Sequence, residues 1–158
     1  TLKSSSDGPR LNAVPVKEFD QLRQAVAFHA KEETLDDSNP RISFATQVQE
    51  HDIVIKLRSP NKDGHAILRI GQTEIPINVQ DDESEWKFPP REAEGGTAAI
   101  RFIWDRPFME VITGNGRRYD LVNRKDRGQP LGEISLTHSQ GSIQIEEFTV
   151  YRMKSIWK

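Results

Sequence analysis

Two runs of alternating apolar residues constrain the fold of this chain most strongly. They meet at Asp105-Arg-Pro107, and the second run ends at Gly114-Asn-Gly116. Alternation indicates strands with one buried face, and Gly-Asn-Gly supplies the positive φ angles of a tight reversal. The stretch from Ile100 to Gly116 therefore predicts a β-meander that closes with a hairpin turn.

The same period of two recurs along much of the chain. Further strands are predicted at 42–46, 53–57, 66–70, 73–79, 118–122, 132–137 and 143–152, with a short one near Val26 and Phe28. Pro76 cannot donate to a ladder, so its strand is predicted at a sheet edge or a bulge. The acidic run around Glu33 and the stretch from Asp81 to Gly96 are predicted as loops.

One short helix is predicted near the start of the chain. Pro15 suits a first helical position, and Val16, Phe19 and Leu22 recur every three residues with Arg23 in the last turn. Short strands with turn residues between them, and little helix, indicate an all-β fold. We predict a two-sheet antiparallel β-sandwich, jelly-roll or concanavalin-like, preceded by a short linker helix.

Composition excludes several classes of function. The 22 basic and 24 acidic residues give a net charge of −2, which provides no basic face for nucleic acid or an anionic membrane. No apolar run approaches the roughly 20 residues that span a bilayer. There is no cysteine, and the four histidines show no metal-ligand spacing. We therefore predict no nucleic-acid partner, no membrane, no metal and no cofactor.

Carboxylates are the natural candidates for general acid–base catalysis. Glu146 and Glu147 are adjacent in an alternating strand, so their side chains are predicted on opposite faces. Asp105 and Glu110 lie in apolar strands with Arg106 nearby, and a structural ion pair is favoured over a catalytic role. No catalytic residue is predicted.

The aromatic residues divide into core and candidate ligand contacts. Trp104 shares a strand face with Ile100 and Phe102, which predicts burial. Trp86 lies in a polar, proline-flanked loop, and Tyr119 has charged neighbours, so either ring can contact a ligand or simply pack. The candidate ligand contacts are Trp86, Tyr119, Asp105, Arg106 and Glu110.

Three segments also resemble a known family. Ile100-Arg-Phe-Ile-Trp-Asp-Arg106 with the following Glu110-Val111, Asp7-Gly-Pro-Arg-Leu11 with Pro15-Val-Lys-Glu-Phe-Asp-Gln-Leu-Arg23, and Met153-Lys-Ser-Ile-Trp157 occur in the family's order. They resemble the C-terminal β-sandwich of glycoside hydrolase family 32, which includes invertases, levanases and inulinases. The sequence departs from the family pattern at Pro107-Phe108, where serine or threonine usually follows Asp-Arg.

This resemblance implies a role and a boundary. Residues 1–24 would be the end of a catalytic β-propeller and its linker, and residues 25–158 the sandwich. The family's propeller motifs, Trp-Met-Asn-Asp-Pro-Asn, Arg-Asp-Pro and Glu-Cys, are absent from the chain. The chain alone is therefore expected to be inert, whereas its parent would be a β-fructofuranosidase-type hydrolase.

The resemblance also implies partners. One is the propeller of the same polypeptide. The other is a fructan or sucrose-type carbohydrate, for which the five candidate ligand contacts would be the carbohydrate contacts. A homo-oligomer is also compatible with the sequence. The chain begins at Thr1 without methionine, which suggests a piece of a longer polypeptide. A secreted or periplasmic parent is favoured, although the compartment stays open. Two alternatives remain, a free-standing lectin-like carbohydrate-binding sandwich and an enzyme in its own right.

Overall fold

Antiparallel strands make up most of the described chain. The computed structural model describes residues 2–5, 8–11, 15, 17–48, 50–61, 63–79, 97–105, 108–113, 118–123 and 132–154. In chain order the elements are β1 (Leu2–Ser5), β2 (Gly8–Leu11), α1 (Lys17–Asp20), β3 (Arg23–Ala30), β4 (Glu33–Leu35), β5 (Arg41–Thr46), β6 (His51–Arg58), β7 (His65–Ile70), β8 (Thr73–Asn78), β9 (Thr97–Asp105), β10 (Phe108–Thr113), β11 (Arg118–Asn123), β12 (Gly132–Gln140) and β13 (Ile143–Met153).

The strands form two main sheets. The seven-stranded sheet has the order β11-β10-β9-β6-β13-β3, with β4 paired to β13 off this path, and the four-stranded sheet has the order β5-β12-β7-β8. Strands β1 and β2 form a separate hairpin. Every pairing is antiparallel. The predicted all-β, two-sheet fold is confirmed.

The core lies between the two sheets and consists of alternate residues from each strand. Phe102, Trp104 and Phe148 are its largest side chains and are at most 1% exposed. The ring of Phe28 from the seven-stranded sheet stacks on Phe44 of the other sheet at 5.6 Å and meets Phe148 edge-on at 5.4 Å. Because these rings interdigitate across the interface, they fix how the sheets pack. The predicted burial of Trp104 is confirmed.

The structure tests three predictions about local secondary structure. Strand β8 is an edge strand, as Pro76 predicted. The acidic stretch at Glu33 is not entirely a loop: β4 forms there because Leu35 is fully buried and pairs with Ile143. The predicted short helix is present as a single turn, Lys17–Asp20, but it ends before Leu22 and Arg23, since Arg23 is the first residue of β3.

Candidate functional site

The functional features lie on the outer face of the seven-stranded sheet. Ile53, Ile55 and Leu57 of β6 point into the core, so the alternate residues Asp52, Val54 and Lys56 point away from it. The pairing register places residues of β13, β9, β10 and β11 beside them on the same face. Helix α1 also contacts this face, through the side chain of Asp20.

A buried carboxylate, Asp52, lies at the centre of a hydrogen-bonded group that joins α1 to the sheet. Asp52 is 0% exposed and accepts hydrogen bonds from Arg23 Nε at 2.7 Å and from Arg101 Nε at 2.8 Å and Nη2 at 2.7 Å. Arg101 Nη2 also donates to Asp20 of α1 at 2.8 Å. We call these four residues the Asp52 network. Because two guanidinium groups surround it, the buried charge of Asp52 is compensated.

The electrostatics and packing of the Asp52 network follow from this geometry. Burial alone would lower the pKa of Arg101, but its hydrogen bonds to Asp52 and Asp20 raise it overall, so the guanidinium stays charged. The ring of Phe19 on α1 lies 5.6 Å from Arg101 Cζ, and Arg23 Cζ lies 3.9 Å from the ring centroid of Tyr151. Helix α1 is therefore held by the ion pair of Asp20 with Arg101 and by the contact of Phe19 with the same guanidinium, whereas the Arg23–Tyr151 contact joins β3 to β13.

Three exposed hydrophobic side chains lie at the β10–β11 end of the outer face. Phe108 is 44% exposed, Tyr119 47% and Leu121 56%, and we call them the apolar patch. Glu110 lies between them, directly opposite Leu121 in the register. Partial burial and the negative charge of Glu110 raise the pKa of the Tyr119 hydroxyl, which therefore stays protonated at neutral pH. Large apolar groups clustered beside a polar rim mark interaction surfaces.

A polar cleft of about 550 Å³ opens where β3, β13 and β6 adjoin on the large sheet. Its lining residues are His29, Lys31, Lys56, Glu146 and Glu147. Glu147 accepts a hydrogen bond from Thr149 Oγ1 at 3.3 Å and pairs with Lys56 Nζ at 2.8 Å. The hydrogen bond with Glu147 raises the pKa of Lys56. Both oxygens of Glu147 are thus fixed in position.

His29 belongs to the same hydrogen-bonded group. Its Nδ1 lies 2.9 Å from Thr149 Oγ1, which also lies 3.3 Å from Glu147 Oε1. The His29 ring is thereby held against β13 at the edge of the cleft.

The predicted placement of Glu146 and Glu147 is wrong. The register of β13 against β6 shifts between Ile145 and Glu147. Ile145 and Phe148 both point into the core, so the two residues between them face outward together. A bulge of this kind inserts an extra residue and resets the alternation. It brings two carboxylates into one cleft.

The structure describes some of the five candidate carbohydrate contacts and not others. Tyr119 and Glu110 lie close together on the outer face, near enough for the charge of Glu110 to influence Tyr119. Asp105 ends β9 opposite Phe108, but its side chain is outside the described part of the molecule. Arg106 and Trp86 lie outside the described residues altogether, so their roles stay predictions.

The polar cleft is open to solvent, whereas a general acid needs a desolvated carboxyl group. Among the residues the structure describes, no group of three or more His, Cys, Asp or Glu could hold a metal ion. Within the same residues, no helix has the length and apolarity to cross a membrane. The cleft is instead suited to hydrogen bonding with a polar ligand.

Solved structures with a similar fold include fructan-cleaving enzymes. Exo-inulinase from Aspergillus awamori superposes with a TM-score of 0.72 at 13% identity, covering 99% of this chain and 35% of the enzyme. Fructan 1-exohydrolase IIa from Cichorium intybus gives a TM-score of 0.68 at 11% identity, covering 98% of this chain and 40% of that enzyme. The chain thus spans well under half the length of either enzyme.

A smaller lectin is also similar in fold. A tetrameric galectin from the sponge Cinachyrella sp. gives a TM-score of 0.53 at 14% identity, covering 71% of this chain and 99% of the galectin. No protein-family model matches the sequence, and no curated protein matches it either. At these identities the likeness is one of fold.

Proposed function

We propose that this chain is the non-catalytic C-terminal β-sandwich of a fructan- or sucrose-hydrolysing glycosidase, and that it packs on the catalytic propeller of the same polypeptide. In this proposal residues 1–24 form the end of the propeller and the linker, and residues 25–158 form the sandwich. The observation that carries the proposal is the match of 99% of this chain to 35% of exo-inulinase.

The outer face of the seven-stranded sheet supports the same proposal. The linker helix α1 is tied to it through Asp20 and the buried Asp52. The apolar patch lies at the β10–β11 end of that face. A domain that precedes α1 would therefore arrive next to an apolar surface of the kind that interdomain contacts cover. We propose the apolar patch as the docking surface for the propeller.

Two matched substitutions test this docking surface. Leu121 and Val26 are similarly exposed, at 56% and 58%, on opposite edges of the seven-stranded sheet. Burying the exposed 56% of Leu121 would contribute about 0.8–1.7 kcal/mol, given about 1.5–3 kcal/mol for a whole aliphatic side chain. Leu121→Lys should therefore destabilise the sandwich by at least about 1 kcal/mol in the whole polypeptide, and leave the 158-residue chain within about 0.5 kcal/mol of wild type.

Calorimetry of the whole polypeptide and of the 158-residue chain measures both effects. Val26→Lys is the matched control and should change neither protein. Equal effects of Leu121→Lys in the two proteins would contradict docking through the apolar patch. An upstream reading frame without the propeller motifs would contradict the parent glycosidase itself.

A free-standing carbohydrate-binding sandwich is the second candidate, favoured by the polar cleft and by the similar fold of the sponge galectin. Affinity electrophoresis of the chain in gels containing levan or inulin separates the two proposals. Clear retardation that is lost on Tyr119→Ala or Trp86→Ala would favour this module. Unchanged mobility favours the packing domain.

A further inference from the structure

We propose that β1 is an inner strand and β2 the outermost strand of a larger antiparallel sheet, which is completed by the strand that precedes β1 in the whole polypeptide. Among the described strands, β1 and β2 pair with each other alone, whereas every other strand belongs to the four-stranded or the seven-stranded sheet. An isolated two-stranded hairpin is marginally stable in water, and a third strand is the usual remedy. The hairpin has two free edges that such a strand could join.

Pro9 reveals which backbone groups of the hairpin point outward. Opposed residues of an antiparallel pair alternate between pairs that exchange two N–H···O=C bonds and pairs that exchange none. Pro9 lies opposite Ser4 and has no N–H, so these two residues form a pair that exchanges none. The exchanging pairs are therefore the two neighbours in the register, Lys3 with Arg10 and Ser5 with Gly8.

The two free edges of the hairpin consequently differ. On the β1 edge, Leu2 and Ser4 each direct an N–H and a C=O outward. On the β2 edge, Leu11 does the same, but Pro9 offers a C=O alone. Proline occurs in sheets where its missing N–H faces outward on an edge strand, and it blunts that edge against further pairing. The additional strand therefore joins β1, and β2 stays outermost.

The strand that precedes β1 is the occupant of this edge, so the inference rests on the proposed function, which supplies a domain there. Consecutive antiparallel strands are joined by short turns and are neighbours in most sheets. A strand tethered in this way also has a much higher effective concentration than a second copy of the chain. In the other direction β2 leads into α1, which Asp20 ties to the outer face of the sandwich. The β2 strand is thus the last strand of the preceding sheet.

Hydrogen exchange at single amides tests the β1 edge. It is measured by mass spectrometry with electron-transfer fragmentation on the whole polypeptide and on the 158-residue chain. The Ser4 amide should exchange at least about tenfold more slowly in the whole polypeptide, because it gains a backbone hydrogen bond there. The Leu11 amide on the β2 edge is the internal control, and it should exchange equally fast in both proteins.

Proline substitutions at the same two positions give a second measurement. Ser4→Pro removes an outward N–H from β1 and keeps the hydrogen bonds within the hairpin. It should lower the midpoint of thermal unfolding of the whole polypeptide and leave that of the 158-residue chain unchanged. Leu11→Pro removes the corresponding N–H from β2 and is the matched control, since it should leave both midpoints unchanged.

Each outcome decides the proposal. Slow exchange of Ser4 beside fast exchange of Leu11 in the whole polypeptide supports it. Protection of Leu11, equal effects of the two proline variants, or protection of Ser4 that appears in the chain alone as its concentration rises would overturn it. Fast exchange of Ser4 in a whole polypeptide that carries the propeller motifs overturns this inference alone, whereas the absence of those motifs overturns the proposed function as well.

Discussion

Replacing Asp52 with asparagine should destabilise the sandwich strongly, although the side chain keeps its size. Asp52 is 0% exposed and is hydrogen-bonded to both Arg23 and Arg101. Removing one partner of a buried ion pair costs about 3–5 kcal/mol, because the remaining charge is left uncompensated. The two arginine side chains are 22% and 20% exposed, and water can therefore compensate them in part. We expect Asp52→Asn to cost about 2–4 kcal/mol.

Urea denaturation followed by circular dichroism measures this change. At about 2–4 °C per kcal/mol for a chain of this size, a midpoint drop of roughly 4–16 °C should accompany it in thermal melts. The control is Glu133→Gln, which removes the exposed ion pair with Arg41 and should cost no more than about 1 kcal/mol. If the free energy of unfolding of Asp52→Asn lies within about 0.5 kcal/mol of wild type, the Asp52 network does not stabilise the packing of α1 on the sheet.

Two further perturbations follow from the structure. Burial lowers the pKa of His51 from its ordinary value of 6.5, so the unfolded chain gains a proton below that pH while the folded chain does not. The contribution of His51 to the free energy of unfolding should therefore be fully present above pH 6.5. It should fall by at most about 1.4 kcal/mol per pH unit on acidification towards the pKa of the folded state. Urea titrations should show this slope, and His51→Gln should flatten it; an identical slope in both would refute this role. Gly141 and Gly132 both adopt a positive φ, at 64° and 74° respectively. A Cβ added at Gly141 would lie 2.7 Å from the backbone oxygen of Asp63, whereas a Cβ added at Gly132 would meet nothing within 4 Å. Gly132→Ala should cost about 1–2 kcal/mol and Gly141→Ala clearly more; equal costs would contradict the close approach.

Local patterns were enough to predict most of the fold. A period of two is a direct consequence of strand geometry, which is why it predicts strands at residues 42–46, 53–57 and 100–104. β4 is not predicted because it is short and acidic, and Leu35 is its one buried residue. The end of the helix is predicted too late because Leu22 and Arg23 continue its spacing, whereas the chain already turns into β3 there.

The candidate sites were less accessible to sequence reasoning. Asp52 is 49 residues from Arg101 and 29 from Arg23, and no local pattern reveals such pairings. The polar cleft depends on one register shift in β13, and the adjacent pair Glu146-Glu147 reads as ordinary alternation without it. The sequence did single out Tyr119 and Glu110, because an aromatic residue beside charges and an acid in an apolar strand are each unusual.

Activity measured on two proteins is the decisive experiment. We propose that this sandwich has no hydrolytic chemistry of its own and serves a catalytic domain in the same polypeptide. Fructose release from sucrose and inulin should be measured for the 158-residue chain and for the whole polypeptide encoded by its gene. We expect release by the whole polypeptide and none above the blank by the chain. Release by the chain alone, or none by either protein, would contradict this proposal.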